Sequence, residues 1–471
     1  MIKTLAPLTL LRSIALASLF VVVIAAEASG QQANSPSLTE RPATPPATTS
    51  TIIHAPSYQG REQAIKPLTL EEATRLALAQ ASTFEQARIN ERVAEEDVEQ
   101  ARTAFLPRLS AAPNFIYTSP STGTPRVPSF LGANAVAEYQ GLVNMSGELD
   151  VSGRLRATLK RNREFLKAAH AGTEAARRAL VLATSDAYFG LALATANRRG
   201  AEQNLMDAAE FERITDLLLQ GGEVAPVDAT RARLQTTGRK DELEQARANE
   251  AVAADSLSAL IGHDFSTLIA TNDLLLETPL AGEIEQVDAA MISSRPEFAQ
   301  LAAERKAAEQ DIHIARSERR PQLVYSINGG FVTDSLHTSN IGEHSGGSAS
   351  VGLSVPLFDW GASRSRERQA RLRAEATESI RIAAERAFAQ QFFTSRVQAI
   401  SASTRIRLAQ AGITDAESNV RASIARYRAG EAGIIEVTDA HNTLNGRRAA
   451  LYQAIFDYRT AHARLIQATG R

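Results

Sequence analysis

The chain contains no cysteine. That excludes a disulfide scaffold, although the compartment its first residues point to would permit one. It also excludes a lipid anchor on an N-terminal cysteine. Aromatic residues are scarce, at 5% of 471 with a single tryptophan, which is low for a protein built on thick compact cores. Charge of one sign is missing too: 51 Lys and Arg against 53 Asp and Glu leave a net charge of −2. Electrostatics therefore give no case for nucleic acid as a partner. Beyond the N-terminus no stretch approaches the ~18 uninterrupted apolar residues of a membrane helix. If the chain crosses a membrane, it must do so as a closed β-barrel, the other structure that satisfies every backbone group in lipid. The eight histidines form no i, i+4 pair and no carboxylate cluster at ligand spacing, so no dedicated metal site is expected. P-loop, dinucleotide fingerprint and nucleophile elbow are absent as well. The expectation is a protein without catalytic residues or cofactor, whose energy comes from a partner.

Proline is also missing, from two long stretches: Arg154 to Leu219 and Ala362 to Ala429. Both carry Ala, Arg, Glu and Leu throughout, interrupted only by Gly172, Gly190 and Gly200 in the first and Gly412 in the second. Helices of that length reach about 100 Å. No globular domain encloses them, and propensity alone stabilises little, so they need partners along their length. Val227–Ile261 and Ile435–Thr469 are those partners, each returning antiparallel through a tight glycine-containing turn. Two further helices precede prolines. Thr69-Leu70-Glu71-Glu72 reads as a capping box opening a helix toward Pro107, with a break near Ser82. Residues Ala289–Arg319, broken at Pro296, end at Pro321.

Each of those prolines stops a helix and starts extended chain. Strands are predicted at about 108–118, 135–149, 321–333 and 347–357. Val351, Leu353 and Val355 alternate with serine and glycine, whereas Leu142–Val151 alternates poorly. Segments of about ten residues, apolar on one face and polar on the other, suit a lipid-embedded barrel. Four strands cannot close one, so several chains must contribute. Two hairpins capping a soluble coiled coil remain the alternative at this point.

The N-terminus reads as a targeting signal. Lys3 and Arg12 precede an apolar run from Ile14 to Ala26, and Ala26-Glu27-Ala28 fits a small-x-small cleavage site. An uncleaved anchor is the alternative. Residues 29–66, rich in Pro, Thr and Ser, are expected to be a disordered leader.

The remainder repeats itself. A shift of 208 positions lays Gly222-Glu223 on Gly430-Glu431, Leu243 on Leu451 and Gly262 on Gly470. A shift of 214 lays Phe84 on Phe298, Pro107 on Pro321 and Leu109 on Leu323. Such a period is too long for a solenoid unit and implies two tandem halves. The first spans 67–270, with its long hairpin at 153–262. The second spans 271–471, with its hairpin at 361–470.

With these residues in hand, the chain resembles the TolC-type outer-membrane efflux channels from about residue 68 to 470. The resemblance rests on PLTLEEATRLAL at 67–78, ARTAFLPRLS at 101–110, ELDVSGRLR at 148–156, SVPLFDWG at 354–361 and RYRAGEAGIIEVTDAHNTL at 426–444, in that order. It implies an α+β membrane protein: a homotrimer with a twelve-stranded barrel, four strands per chain, set in outer-membrane lipid. A helical tunnel would continue it across the periplasm. The implied partners are a periplasmic adaptor and an inner-membrane transporter of RND or ABC type. The implied role is a passive export conduit.

The adaptor-docking tip implied by the family falls on Gly221, Gly222, Glu223 and Val224 and on Gly430, Glu431, Ala432 and Gly433. A periplasmic gate falls on Glu436, Asp439, Asp228 and Tyr427. In a trimer, Glu436 and Asp439, three apart on one helix face, would set six carboxylates around a narrow pore and favour cations. Ala432 stands where the family has a basic latch residue, which weakens the link expected between Asp228 and Tyr427. Phe358 and Trp360 suit a membrane interface, and Asp359 a helix cap. A soluble periplasmic scaffold and a conduit for type I protein secretion are the competing functions. Cargo is not legible.

Overall fold

A computed structural model describes residues 67–129, 135–265, 269–280 and 282–470. The signal peptide expected at 1–28 and the leader at 29–66 lie outside the described residues. The elements run α1 (Leu70–Leu78), α2 (Thr83–Thr103), β1 (Arg108–Tyr117), β2 (Pro120–Ser121), β3 (Thr124–Pro128), β4 (Ala137–Leu149), α3 (Arg154–Gln220) and α4 (Pro226–Ile261). They continue with α5 (Pro296–Ser317), β5 (Gln322–Thr333), α6 (Thr338–Glu343), β6 (Ser345–Ser354), α7 (Ala362–Arg428) and α8 (Ile434–Ala468). Short 3₁₀ turns at Leu274–Leu276 and Ala289–Ser294 sit in the α4–α5 linker.

The capping box at the start of α1 is present: Thr69 Oγ1 accepts from the Glu72 amide at 3.2 Å, and Glu72 accepts from the Thr69 amide at 3.3 Å. Chain breaks fall at Ala79–Ser82 and before Pro296, as the sequence suggests. The loop predicted at 118–134 differs, because it carries the small β2–β3 hairpin. The last strand begins two residues early and ends at Ser354 rather than at 357, since Pro356 has no N–H to continue the ladder.

One antiparallel sheet has the order β1-β4-β5-β6. Its register decides which side each residue takes. Leu109 pairs with Met145, Ala111 with Val143 and Phe115 with Tyr139. Met145 then pairs with Ile327, Leu149 with Leu323 and Tyr325 with Val351. These residues share one apolar face. The opposite face holds Asn144, Ser326 and Asn328, joined by side-chain hydrogen bonds. The alternation too weak to read along β4 becomes regular once its neighbours are in place.

Two glycines on the apolar face lie under aromatic rings, Gly141 under its partner Phe331 and Gly147 under Tyr325. An aromatic ring over a cross-strand glycine covers exposed backbone. At Gly330, φ is 152°, and an added Cβ would strike the Gly141 carbonyl. The two strands approach too closely there for any other residue.

Helices α3 and α7 are each 67 residues long and unbroken. Each begins after a glycine at positive φ, Gly153 and Gly361. The main core lies near their midpoints. Tyr188, Leu191 and Ala192 of α3 meet Phe392, Ala399 and Ile406 of α7, Ile455, Tyr458 and Leu465 of α8, and Ala73 and Ala77 of α1. An 18-residue window of α3 reaches a mean hydropathy of 1.4. Leu180, Tyr188, Phe189, Leu191, Ala192 and Ala196 belong to this core, so a part of that apolar surface, 44% of the window, is packed within the chain.

The linker is fastened to that core through one carboxylate. Glu283 accepts from the Tyr458 hydroxyl at 2.7 Å, from Arg459 at 3.1 Å and from the Leu280 amide at 3.1 Å. Arg459 also holds the Glu277 and Thr278 carbonyls. Burial pushes the Glu283 pKa up, but the Tyr458, Leu280, His462 and Arg459 contacts outweigh it and leave it lowered. A depressed carboxylate stabilises fully above its unfolded value of about 4.3 and stops doing so as pH falls through the folded value. Glu283→Gln should therefore remove about 1.5–3 kcal/mol at neutral pH and little at pH 3. Circular dichroism melting of the detergent-purified protein at both pH values tests this; an equal loss at each would contradict it.

Candidate functional site

The tip opposite the sheet is built by two turns of like geometry. Gly222 and Gly430 take φ of 74° and 72°. Glu223 donates its amide to the Leu218 carbonyl and Glu431 to that of Arg426, both at 2.9 Å. Six-to-one bonds of this kind around a left-handed glycine end a helix abruptly. Pro226 at the first turn of α4 needs no hydrogen-bond partner there. Gly221, Glu223, Gly433 and Glu431 are exposed, while Val224 and Ala432 are half-buried. The eight predicted tip residues thus form two surface turns.

The four predicted gate residues lie close behind these turns but do not form one cluster. Glu436 is half-buried and takes Arg426 across the turn at 2.5 Å; Arg426 also reaches the Glu431 carbonyl. Asp439, one turn further along α8, is exposed and enters none of the ion pairs among the described residues. Asp228 instead pairs with Arg231 on its own helix at 3.6 Å. Both Asp228 and Glu436 stand in a first helical turn, where the positive end of the dipole favours acids.

Tyr427 is buried and packs on Phe211, ring centroids 5.3 Å apart. Burial raises its pKa, with Thr215 and Asp228 as its polar surroundings. No hydrogen bond joins Tyr427 to Asp228 among the described residues. Apolar packing of Phe211, Ala232, Ile434 and Val437 surrounds the tyrosine instead.

Three residues of this site escape the sequence reading. Arg426, in the last turn of α7, is the cation beside Glu436 where Ala432 leaves none in the loop. Its signal is present in RYRAGEAG, but spacing alone does not say which basic residue turns inward. Phe211 has no local signal at all. His441, 7% exposed with its Nε2 unpartnered among the described residues, lies 6.3 Å from the Phe211 ring. Burial lowers its pKa, Asp207 opposing and Arg239 and Arg448 assisting.

At the other end, Phe358 and Trp360 stack edge-to-face at 4.7 Å and are both exposed. Asp359 between them accepts from the Gly361 amide at 3.1 Å and from Ser363 at 2.7 Å, so it caps α7 as expected. Asp150 does the same for α3 through the Leu155 and Arg156 amides. Among the described residues no group of His, Asp and Glu is placed to hold a metal ion.

A sheet with one apolar and one polar face is set on two helices of 67 residues that end in bare turns, an arrangement that suits a membrane-anchored channel. Comparison with known proteins agrees. A family model described as outer membrane efflux protein matches residues 73–263 and 289–471. The chain therefore belongs to the outer membrane efflux protein family and is an outer-membrane efflux channel, its helices extending into the periplasm. It is 27% identical over 389 residues to the cobalt-zinc-cadmium resistance protein CzcC of Cupriavidus metallidurans, covering 81% of this chain and 85% of that one. It is 26% identical over 365 residues to the outer membrane protein OprJ of Pseudomonas aeruginosa, covering 74% of each. The crystal structure of CusC shares the fold, with a TM-score of 0.75 at 18% identity over 88% of this chain and 95% of that one.

Phe211, 2% exposed, sits at the centre of the apolar cluster behind the turns. Phe211→Ala should cost about 3–5 kcal/mol of local stability. Limited proteolysis would then cut the 221–226 and 430–434 turns faster, while the melting of the mid-helix core stays the same. Unchanged cleavage would mean that Tyr427 packs without it.

Proposed function

We propose that three copies of the chain close a twelve-stranded barrel and a continuous helical tunnel. The observation that carries this reading is the sheet itself. Both β1 and β6 are open edges, exposed along their whole length, and open edges are not tolerated in lipid. A second observation supports it. Phe393, Val397, Ile400 and Leu408 form an exposed apolar stripe down α7, as a surface waiting for a neighbouring copy does.

On this reading the channel is passive. A periplasmic adaptor docks at the two glycine turns, where bare backbone admits close approach, and an inner-membrane transporter of RND or ABC type supplies energy. CzcC is named for resistance to cobalt, zinc and cadmium. The described wall of this chain offers no metal-ligating cluster, so cargo would be chosen by the transporter and not by the channel. Phe358 and Trp360 would sit at the membrane interface. Asp439, free of an intrachain partner, and Glu436, which Arg426 can release, would line the narrow end of the pore.

Outer-membrane fractions should yield an SDS-resistant oligomer of three times the chain mass, extractable only with detergent. A species that leaves with the soluble periplasm would overturn the assembly. In planar bilayers, Glu436→Ala with Asp439→Ala should weaken block by divalent and trivalent cations several-fold. Unchanged block and conductance would remove the carboxylate gate but leave the channel standing.

A further inference from the structure

The stretches that join sheet to helix, residues 150–163, 316–320 and 359–373, hold thirteen Lys and Arg against four Asp and Glu. The chain as a whole carries −2. These stretches meet in space. Arg320 donates to the Ser152 carbonyl at 3.0 Å and Ser152 to Gln322 at 3.2 Å, while Glu367 of α7 accepts from Arg316 at 2.8 Å and from Arg319.

The four acids are consumed internally. Asp150 and Asp359 cap helices, Glu318 takes Arg366, and Glu367 takes three arginines. Lys160, Arg163, Arg364, Arg368 and Arg373 remain exposed, and none enters an ion pair among the described residues. The collar therefore keeps an uncompensated positive charge, and Arg364 and Arg368 fall on one helix face.

Beside these cations stands a rigid apolar element. Leu357 is 91%, Phe358 73% and Trp360 90% exposed. Trp360 has φ 56°, uncommon for a bulky residue. Such strain persists where the surroundings over-determine it, here through the Asp359 cap and the Phe358 stack. Arg364 and Arg368 follow one and two turns further along the same chain. Aromatics followed by basic residues are the sequence of groups met on passing from acyl chains to an anionic surface.

We propose that this collar binds the phosphate headgroups of anionic glycerophospholipids in the leaflet facing the helices, with Phe358 and Trp360 inserted just beyond them. The inference rests on the outer-membrane reading above and adds a lipid preference to it. Each phosphate offers what the unpaired guanidinium groups lack, a fixed anion with a fork of acceptor oxygens.

Trp360 is the only tryptophan, so the native channel carries its own reporter. The full-length protein would be reconstituted in mixed phosphatidylcholine–phosphatidylglycerol vesicles in which one lipid or the other has brominated chains. Brominated phosphatidylglycerol should quench Trp360 about twofold or more over an equal fraction of brominated phosphatidylcholine. The ratio should fall to unity in 1 M salt, where the Debye length is about 3 Å, and in Arg364→Gln/Arg368→Gln. Equal quenching in the native protein would overturn the lipid preference and leave the membrane placement intact. No quenching by either lipid would overturn both. A ratio retained by the double variant, or loss of its SDS-resistant oligomer, would show that these arginines serve something other than headgroups.

Discussion

A backbone group that enters lipid must already have its hydrogen bond. The rest of this molecule follows from that constraint. The four strands satisfy one another across three ladders but leave β1 and β6 unpaired on their outer sides, so the chain is unfinished by itself. The same incompleteness is written into the helices, whose mid-length core is shared within the chain while α7 still shows apolar side chains outward. Sheet and helices are thus incomplete together, and the proposed assembly would supply strand partners and cover the helix stripe at once.

The sequence discloses features whose cause is local. Pro107 and Pro321 end helices and start strands, Gly222 and Gly430 turn helices back, and Thr69 with Glu72 opens α1, because each acts within one turn of itself. Features set by distant partners stay hidden. Along β4, Leu142 and Val143 are both apolar, and only the pairing of Val143 with Ala111 and Gly329 puts it on the apolar face. Tyr458 and Glu283 are separated by 175 residues, so no spacing rule joins them. At the tip the side-chain partners differ from the expected link between Asp228 and Tyr427. Glu436 meets Arg426 and Tyr427 meets Phe211, because helix rotation, which periodicity fixes only coarsely, decides which side chains face inward.

The duplication is faithful where the backbone is constrained and lax where charge is concerned. Gly153 and Gly361 open the two long helices at φ of 80° and 87°, and the two tip glycines share their conformation within a few degrees. The acids just beyond the turns have parted. Asp228 is neutralised by Arg231 on its own helix, Glu436 by Arg426 from the opposite arm of its hairpin, and Asp439 by nothing among the described residues. One hairpin is electrostatically self-contained. The other depends on a contact between two helices, and only such a contact changes when helices move apart.

The two 67-residue helices are held most firmly near their centres, at Leu180–Ala196 of α3 and Phe392–Ile406 of α7. Roughly 35 Å of helix extends beyond that clamp at 1.5 Å per residue, packed along the way by Ala416, Val420, Ala440 and Leu444 and at its end by a small aromatic cluster. A rod pinned at mid-length behaves as a lever. A twist of a few degrees at the fulcrum, too slight to disturb side-chain packing there, swings the free end by several ångströms. If the tip forms the mouth of a pore, as proposed, its width would respond to the linker that Glu283 and Arg459 fasten to the middle of these helices.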